Sequence, residues 1–176
     1  METAKDGSYI LSVPANTVVK LSVEKDGYFK KNSQVLVADT STTFAIPDIC
    51  ITAYNVNKPI LIKNILYDFN SAALRPESKI ALDNVINIMR DNPNLKIEIG
   101  SHTDSIGNKI YNLNLSGERA RSCVDYILSK GISKDEIVAK GYGKSVPVAP
   151  NSFPDGTDNP DSRQLNRRTA FTVKEK

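Results

Sequence analysis

Residues 59–176 predict an α/β (α+β) sandwich with elements in the order βαβαββ, preceded over residues 1–58 by a partial small β domain. Two changes along the chain predict that division. Apolar residues recur with period two in the first part, and with alternating strand and helix periods in the second. Arginine is absent before Arg75 and occurs seven times from there on. Residues 1–58 balance six lysines against six acids, so the remainder carries the whole net charge of +3.

In the first part, Tyr9, Leu11 and Val13 alternate before Pro14, and Val19, Leu21 and Val23 alternate before Lys25-Asp26-Gly27, whose Asp-Gly marks a tight turn. Val35 and Val37 follow, then a Thr-rich run to Ile46-Pro47. Three or four strands fit there, which is small for a self-sufficient sandwich.

In the second part, Ile60 to Phe69 is apolar and β-branched enough for a buried strand. Arg75-Pro76-Glu77 opens a helix, with Pro where the first turn tolerates it and Glu near the positive end of the dipole. Leu82, Val85, Ile86 and Met89 form one stripe, and Asn92-Pro93 ends it. Leu95, Ile97 and Ile99 alternate with Lys96 and Glu98 in a half-buried strand that ends at Gly100. A second helix starts near Lys109, with Ala120, Cys123, Val124, Ile127 and Leu128 on one side and Gly131 as its stop. Ile137 to Ala139 and Arg168 to Val173 supply the last two strands. Between them Ser145 to Leu165, with four prolines, reads as a long loop.

Composition removes several function classes. A net charge of +3 on 176 residues is too small to hold nucleic acid by phosphate neutralisation. No window approaches the roughly 20 apolar residues that cross a bilayer, and residues 1–20 lack a basic start followed by an apolar stretch. Any membrane attachment is expected outside this chain, and if the native protein is exported its signal or lipid anchor is expected upstream of Met1. Cys50 and Cys123 are too few for a disulfide framework and lack metal or redox spacing. Cys123 falls on an apolar helix face, where a free thiol packs as a small hydrophobe. His102, the only histidine, is expected to be a strand-end hydrogen-bonding residue, and neither a catalytic set nor a cofactor site is expected. Asp155, Asp158 and Asp161 lie three apart, unlike the alternating ligands of a calcium loop, so no metal is expected there.

The most informative stretch runs from Gly100 to Arg119. Asp104 sits just past a strand end, and Gly107 lets the chain turn into the helix that carries Arg119. A carboxylate and a guanidinium then border one crevice. They fit a structural ion pair, or a receptor in which Asp104 accepts from a ligand ammonium and Arg119 grips its carboxylate with a two-pronged hydrogen bond. Spacing leaves both open.

Tyr67-Asp68-Phe69-Asn70-Ser71-Ala72-Ala73-Leu74, Gly100-Ser101-His102-Thr103-Asp104-Ser105-Ile106-Gly107, Asn112 through Ala120, Gly141-Tyr142-Gly143 and Asn166-Arg167-Arg168 follow one another in the order of the OmpA-like C-terminal domain. The chain resembles that family, which includes the peptidoglycan-associated lipoprotein and flagellar stator proteins, over roughly Pro59 to Val173. The resemblance implies a mixed sheet and non-covalent binding of peptidoglycan in the periplasm of a Gram-negative bacterium, as part of an outer-membrane-associated protein. It implies that Asp104 and Arg119 contact the diaminopimelate of the stem peptide. Phe69, Asn70 and Ser71 then line the groove, with Thr103 beside Asp104 and Leu115 and Ser116 near Arg119. Of Arg167 and Arg168, one is expected to hold the ligand or the Asp104 loop, and Arg168 is placed among the ligand-binding residues. Leu21 through Tyr28 more weakly resemble the strand and turn of carboxypeptidase-regulatory-like β-sandwiches, which suggests a spacer.

Two rivals belong to other classes. A hydrolase would have only His102 and Asp104 to work with. An envelope protein-protein interaction scaffold would bind through the long loop or the β segment. The oligomeric state stays open.

Overall fold

The computed structural model describes residues 3–38, 45–68 and 70–175, and the chain divides into two compact units, Met1–Thr52 and Ala53–Lys176. In the first unit, β1 (Thr17–Val23) and β2 (Lys31–Val37) pair antiparallel, from Thr17 opposite Val37 to Val23 opposite Lys31. Gly27 takes the turn between them at φ +78. Among the described residues this unit has two strands rather than three or four. Tyr9–Val13 forms none: Pro14 lacks an amide donor, and Asn16, at φ +53, turns the chain directly into β1. The Thr-rich run at 39–44 lies outside the described residues.

The second unit is built from β3 (Pro59–Leu61), α1 (Pro76–Asp91), β4 (Lys96–His102), α2 (Lys109–Ser129), a 3-10 turn (Lys134–Glu136), β5 (Ile137–Gly143), α3 (Pro160–Asn166) and β6 (Thr169–Glu175). Its mixed sheet has the order β3-β6-β4-β5, with β4 and β5 parallel and β6 antiparallel to both β3 and β4. The α/β architecture expected from the periodicities is therefore present. β3 is shorter than the Ile60 to Phe69 run suggests. After the Ile62 amide bonds Thr169, Asn64 turns the chain at φ +64, and the Leu66 amide and carbonyl then both bond Ser78 Oγ at the start of α1. The long segment after β5 is also not all loop. Asn159 caps α3 by accepting from the Ser162 amide, and Pro160 occupies its first position.

The core lies between the sheet and its helices. Leu82, Val85, Ile86 and Met89 of α1 are buried with Ala120, Cys123, Val124 and Ile127 of α2, against Ile97 and Ile99 of β4 and Phe171 and Val173 of β6. α2 packs on β5 and β4, and α1 on α2, where the Tyr126 hydroxyl donates to Asp83.

β4 departs from the expected half-buried strand, because it is central and every residue from Ile97 to His102 is buried. Glu98 is tolerated there because Tyr142 donates to its Oε1 at 2.5 Å and Lys174 lies 3.4 Å from Oε2. At the end of β4 the pairing with β5 slips between Ser101 and His102, which sets the direction of the chain entering Thr103 and Asp104.

Candidate functional site

Asp104 follows β4 directly and is only 8% exposed. Its loop is held from several sides. The Thr103 amide donates to Gly143, the Thr103 hydroxyl to the Asp104 carbonyl, and the Ser105 amide to Asn151. The carboxylate is also occupied: Oδ1 accepts from the Ile106 amide at 3.0 Å, and Oδ2 accepts from Arg167 at 2.5 Å and Arg163 at 3.2 Å. Burial pushes this carboxyl up, but the hydrogen bonds from Arg167, Ile106 and Arg163 outweigh it and hold its pKa below the ordinary carboxylate value.

Arg119 is half-buried on α2. Its Nε donates to the Ser71 carbonyl at 3.0 Å and its guanidinium lies 4.7 Å from the Tyr67 ring centre. The Tyr67 hydroxyl returns along α2 to the Arg119 carbonyl and to Cys123 Sγ. Burial lowers the Arg119 pKa, the Asp104 carboxylate opposes that shift, and Arg167 adds to it. These groups therefore share one electrostatic neighbourhood. Asp104 and Arg119 are not paired with each other: Asp104 is tied to arginines from α3 and its C-terminal cap, whereas Arg119 meets no carboxylate at ion-pair distance among the described residues.

The remaining expected positions separate into two groups. Asn70, exposed and at φ +52, accepts from the Tyr111 hydroxyl across the first turn of α2, and Ser71 gives its carbonyl to Arg119, so both border the Arg119 side. Leu115 is half-buried on α2. Ser116, in contrast, is fully buried and accepts from the Gly143 amide, which makes it a helix-to-strand link. Arg168 reaches the Asn166 and Val146 carbonyls and does not touch Asp104, whereas its neighbour Arg167 does. Phe69 lies outside the described residues. Arg163 was not singled out in the sequence, and Tyr67 and Tyr111, which lie in the informative stretches, were given no role there. Asn159-Pro160, a cap followed by a first-turn proline, was the local signal that could have placed Arg163 on a helix.

Several peripheral residues have structural partners. Asp158 is gripped by Arg163, and Asp155 accepts from the Thr157 amide and hydroxyl. Cys50 is exposed and free; Cys123 is buried and free, and burial pushes its thiol up to about 11. His102 stacks on Tyr142 with ring centres 4.8 Å apart. Its Nδ1 is buried without a partner among the described residues. Burial pulls the His102 pKa down to about 4, Arg168 adds to that, and Glu98 opposes it.

Because the folded value lies below the ordinary 6.5, the unfolded chain binds more protons between the two values, and stability rises with pH there. Urea titrations should show a loss of roughly 1.5 kcal/mol from pH 6.5 to pH 5. His102→Gln should flatten that slope; an unchanged slope would mean that the imidazole is not the titrating group.

The OmpA family model matches residues 66–160. The chain belongs to the OmpA family. It is 42% identical over 115 residues to photosystem I P700 chlorophyll a apoprotein A2 of Gloeobacter violaceus, covering 65% of this chain and 13% of that one. It is also 42% identical over 94 residues to outer membrane protein A of Escherichia fergusonii, covering 52% of this chain and 39% of the relative. The chain thus spans well under half the length of both relatives. Among solved structures it resembles the peptidoglycan-associated lipoprotein from Burkholderia pseudomallei, with TM-score 0.52 and 24% identity, covering 61% of this chain and 86% of that one. It likewise resembles the cell wall anchor of the T6SS from Pseudomonas aeruginosa, with TM-score 0.52 and 25% identity, covering 65% of this chain and 78% of that one. The family match does not reach residues 21–28, where the likeness to a carboxypeptidase-regulatory-like sandwich was expected. Among the described residues, no helix is long and apolar enough to cross a membrane.

Proposed function

We propose that this OmpA-family chain binds peptidoglycan non-covalently on the periplasmic side, without catalysis, and anchors an envelope protein to the cell wall by reading the diaminopimelate of the stem peptide. One observation carries this: Arg119 is half-buried, fixed through Nε by a carbonyl and steadied by an aromatic ring, and no carboxylate among the described residues pairs with it. Its Nη groups are the part left to meet a ligand carboxylate. The Asp104 carboxylate accepts the Ile106 amide at Oδ1 and two arginines at Oδ2, which takes three of its sites. A carboxylate offers about four lone-pair sites, so one remains for a ligand ammonium.

The side-chain stereocentre of diaminopimelate bears both groups, whereas a lysine at that stem position bears only the ammonium. A charge-assisted hydrogen bond contributes about 1.5–3 kcal/mol, so losing one costs roughly ten- to a hundredfold in affinity. Affinity for a single stem is expected to be modest, with the density of stems on the wall providing retention. The relatives named for peptidoglycan and for the cell wall support the reading.

The test is retention on isolated diaminopimelate-type wall with a soluble diaminopimelate tripeptide as competitor. Displacement is expected, and the lysine tripeptide should displace far less. Retention that excess diaminopimelate tripeptide leaves untouched would overturn the reading in favour of a protein-interaction scaffold.

A further inference from the structure

Arg163 makes two sets of contacts. It forks onto Asp158, Nε to Oδ1 at 2.7 Å and Nη2 to Oδ2 at 2.6 Å, and its Nη1 reaches Asp104 Oδ2 at 3.2 Å. Its side chain is 18% exposed and that of Asp104 is 10% exposed, so solvent screens the Asp104 contact only partly. Asp158 is 57% exposed. Around Asp104 stand three cations, Arg163 and Arg167 on its carboxylate and Lys144 on the Ser105 and Gly107 carbonyls of the same loop, against two carboxylates, Asp104 and Asp158. The cluster therefore carries an excess positive charge, although its central group is an acid.

We propose that Arg163 is a specificity-determining residue, which holds the Asp104 site net positive so that a ligand offering only an ammonium is penalised while one offering ammonium and carboxylate together is accepted. This rests on the reading of the site as a diaminopimelate receptor. The two ligand charges respond to the local potential with opposite sign. For the doubly charged stereocentre the responses largely cancel, but the lysine ammonium experiences its own in full. Arg119 rewards the carboxylate, and Arg163 disfavours ligands that arrive without one.

The Arg163–Asp158 pair allows a test that separates charge from bracing. Arg163→Gln removes a positive charge and Asp158→Asn a negative one, yet each breaks the same fork. Affinities of the soluble diaminopimelate and lysine tripeptides would be measured calorimetrically on the whole chain, and their ratio compared. Arg163→Gln should lower the discrimination at least threefold, Asp158→Asn should raise it by a similar factor, and Arg163→Lys should keep it near the wild-type value. If Arg163→Gln does not fold, Asp158→Asn and Arg163→Lys still carry the test. Ratios that move in the same direction in the first two variants, or an unchanged ratio in Asp158→Asn, would show that Arg163 only braces the loop. That result would overturn this proposal while leaving the receptor reading intact. Failure of the wild type to bind either tripeptide would overturn the receptor reading itself, and the proposal with it.

Discussion

Arg119→Ala is expected to abolish retention on isolated diaminopimelate-type wall while the protein stays folded. The side chain contributes one carbonyl hydrogen bond and one aromatic contact to the fold. Each is worth about 1 kcal/mol, a small part of a domain's stability. For a ligand carboxylate the same guanidinium would supply a two-pronged charge-assisted pair, and its loss should cost at least a hundredfold. Arg119→Lys should lose most of that too, because an ammonium keeps the charge but not the fork. Asp104→Ala is expected to abolish retention as well, but with a fold cost of roughly 1–3 kcal/mol, since it leaves Arg167 and the Ile106 amide without their acceptor. The arginine variants are therefore the cleaner pair. Retention by Arg119→Ala equal to wild type would remove Arg119 from the site.

The different stability costs expected for Asp104 and Arg119 reflect what a linear sequence makes legible. α1 and α2 could be read directly because apolar spacing and stop residues agree over 16 and 21 residues, with a first-turn proline in α1, whereas for β4 the strand was legible but its full burial was not. The placement of Asp104 past a strand end and Arg119 on the next helix followed from the same local signals. The partners of Asp104 did not: Arg163 was not foreseen, and Arg167 only as one of two candidates from the family resemblance, because they lie 59 and 63 residues further along and are brought in by β6 docking between β3 and β4. No periodicity reports a contact of that separation. The choice of Arg168 over Arg167 had the same source: both precede β6, and only the three-dimensional turn decides which guanidinium faces Asp104. The proline-rich segment concealed α3 because a seven-residue helix has too few turns to show a stripe. The Ile60 to Phe69 run overstated its strand because Asn64 adopts a left-handed turn that apolar composition does not signal.

Gly141→Ala is expected to have the largest effect on the fold. Gly141 lies on β5 where α2 crosses it. A Cβ there would stand 2.4 Å from the Gly117 nitrogen, 2.7 Å from its Cα and 2.8 Å from the Leu113 carbonyl oxygen. All three are backbone atoms of α2, so no side chain can rotate away and the helix itself must retreat. Overpacking of this kind costs on the order of 3 kcal/mol or more. Retreat would also strain the Ser116 to Gly143 hydrogen bond and carry Arg119, two residues beyond Gly117, away from the Asp104 loop that hangs on Gly143. Binding should therefore fall along with stability. Gly131→Ala is the control: Gly131 has φ +89 and open space around its Cβ, so only backbone strain of about 1 kcal/mol is expected, and retention on the wall should persist. Denaturant titrations of the two variants decide the matter. Equal losses would mean that the α2 to β5 seam yields to a methyl group, and that the spacing between Arg119 and Asp104 is not set by this glycine.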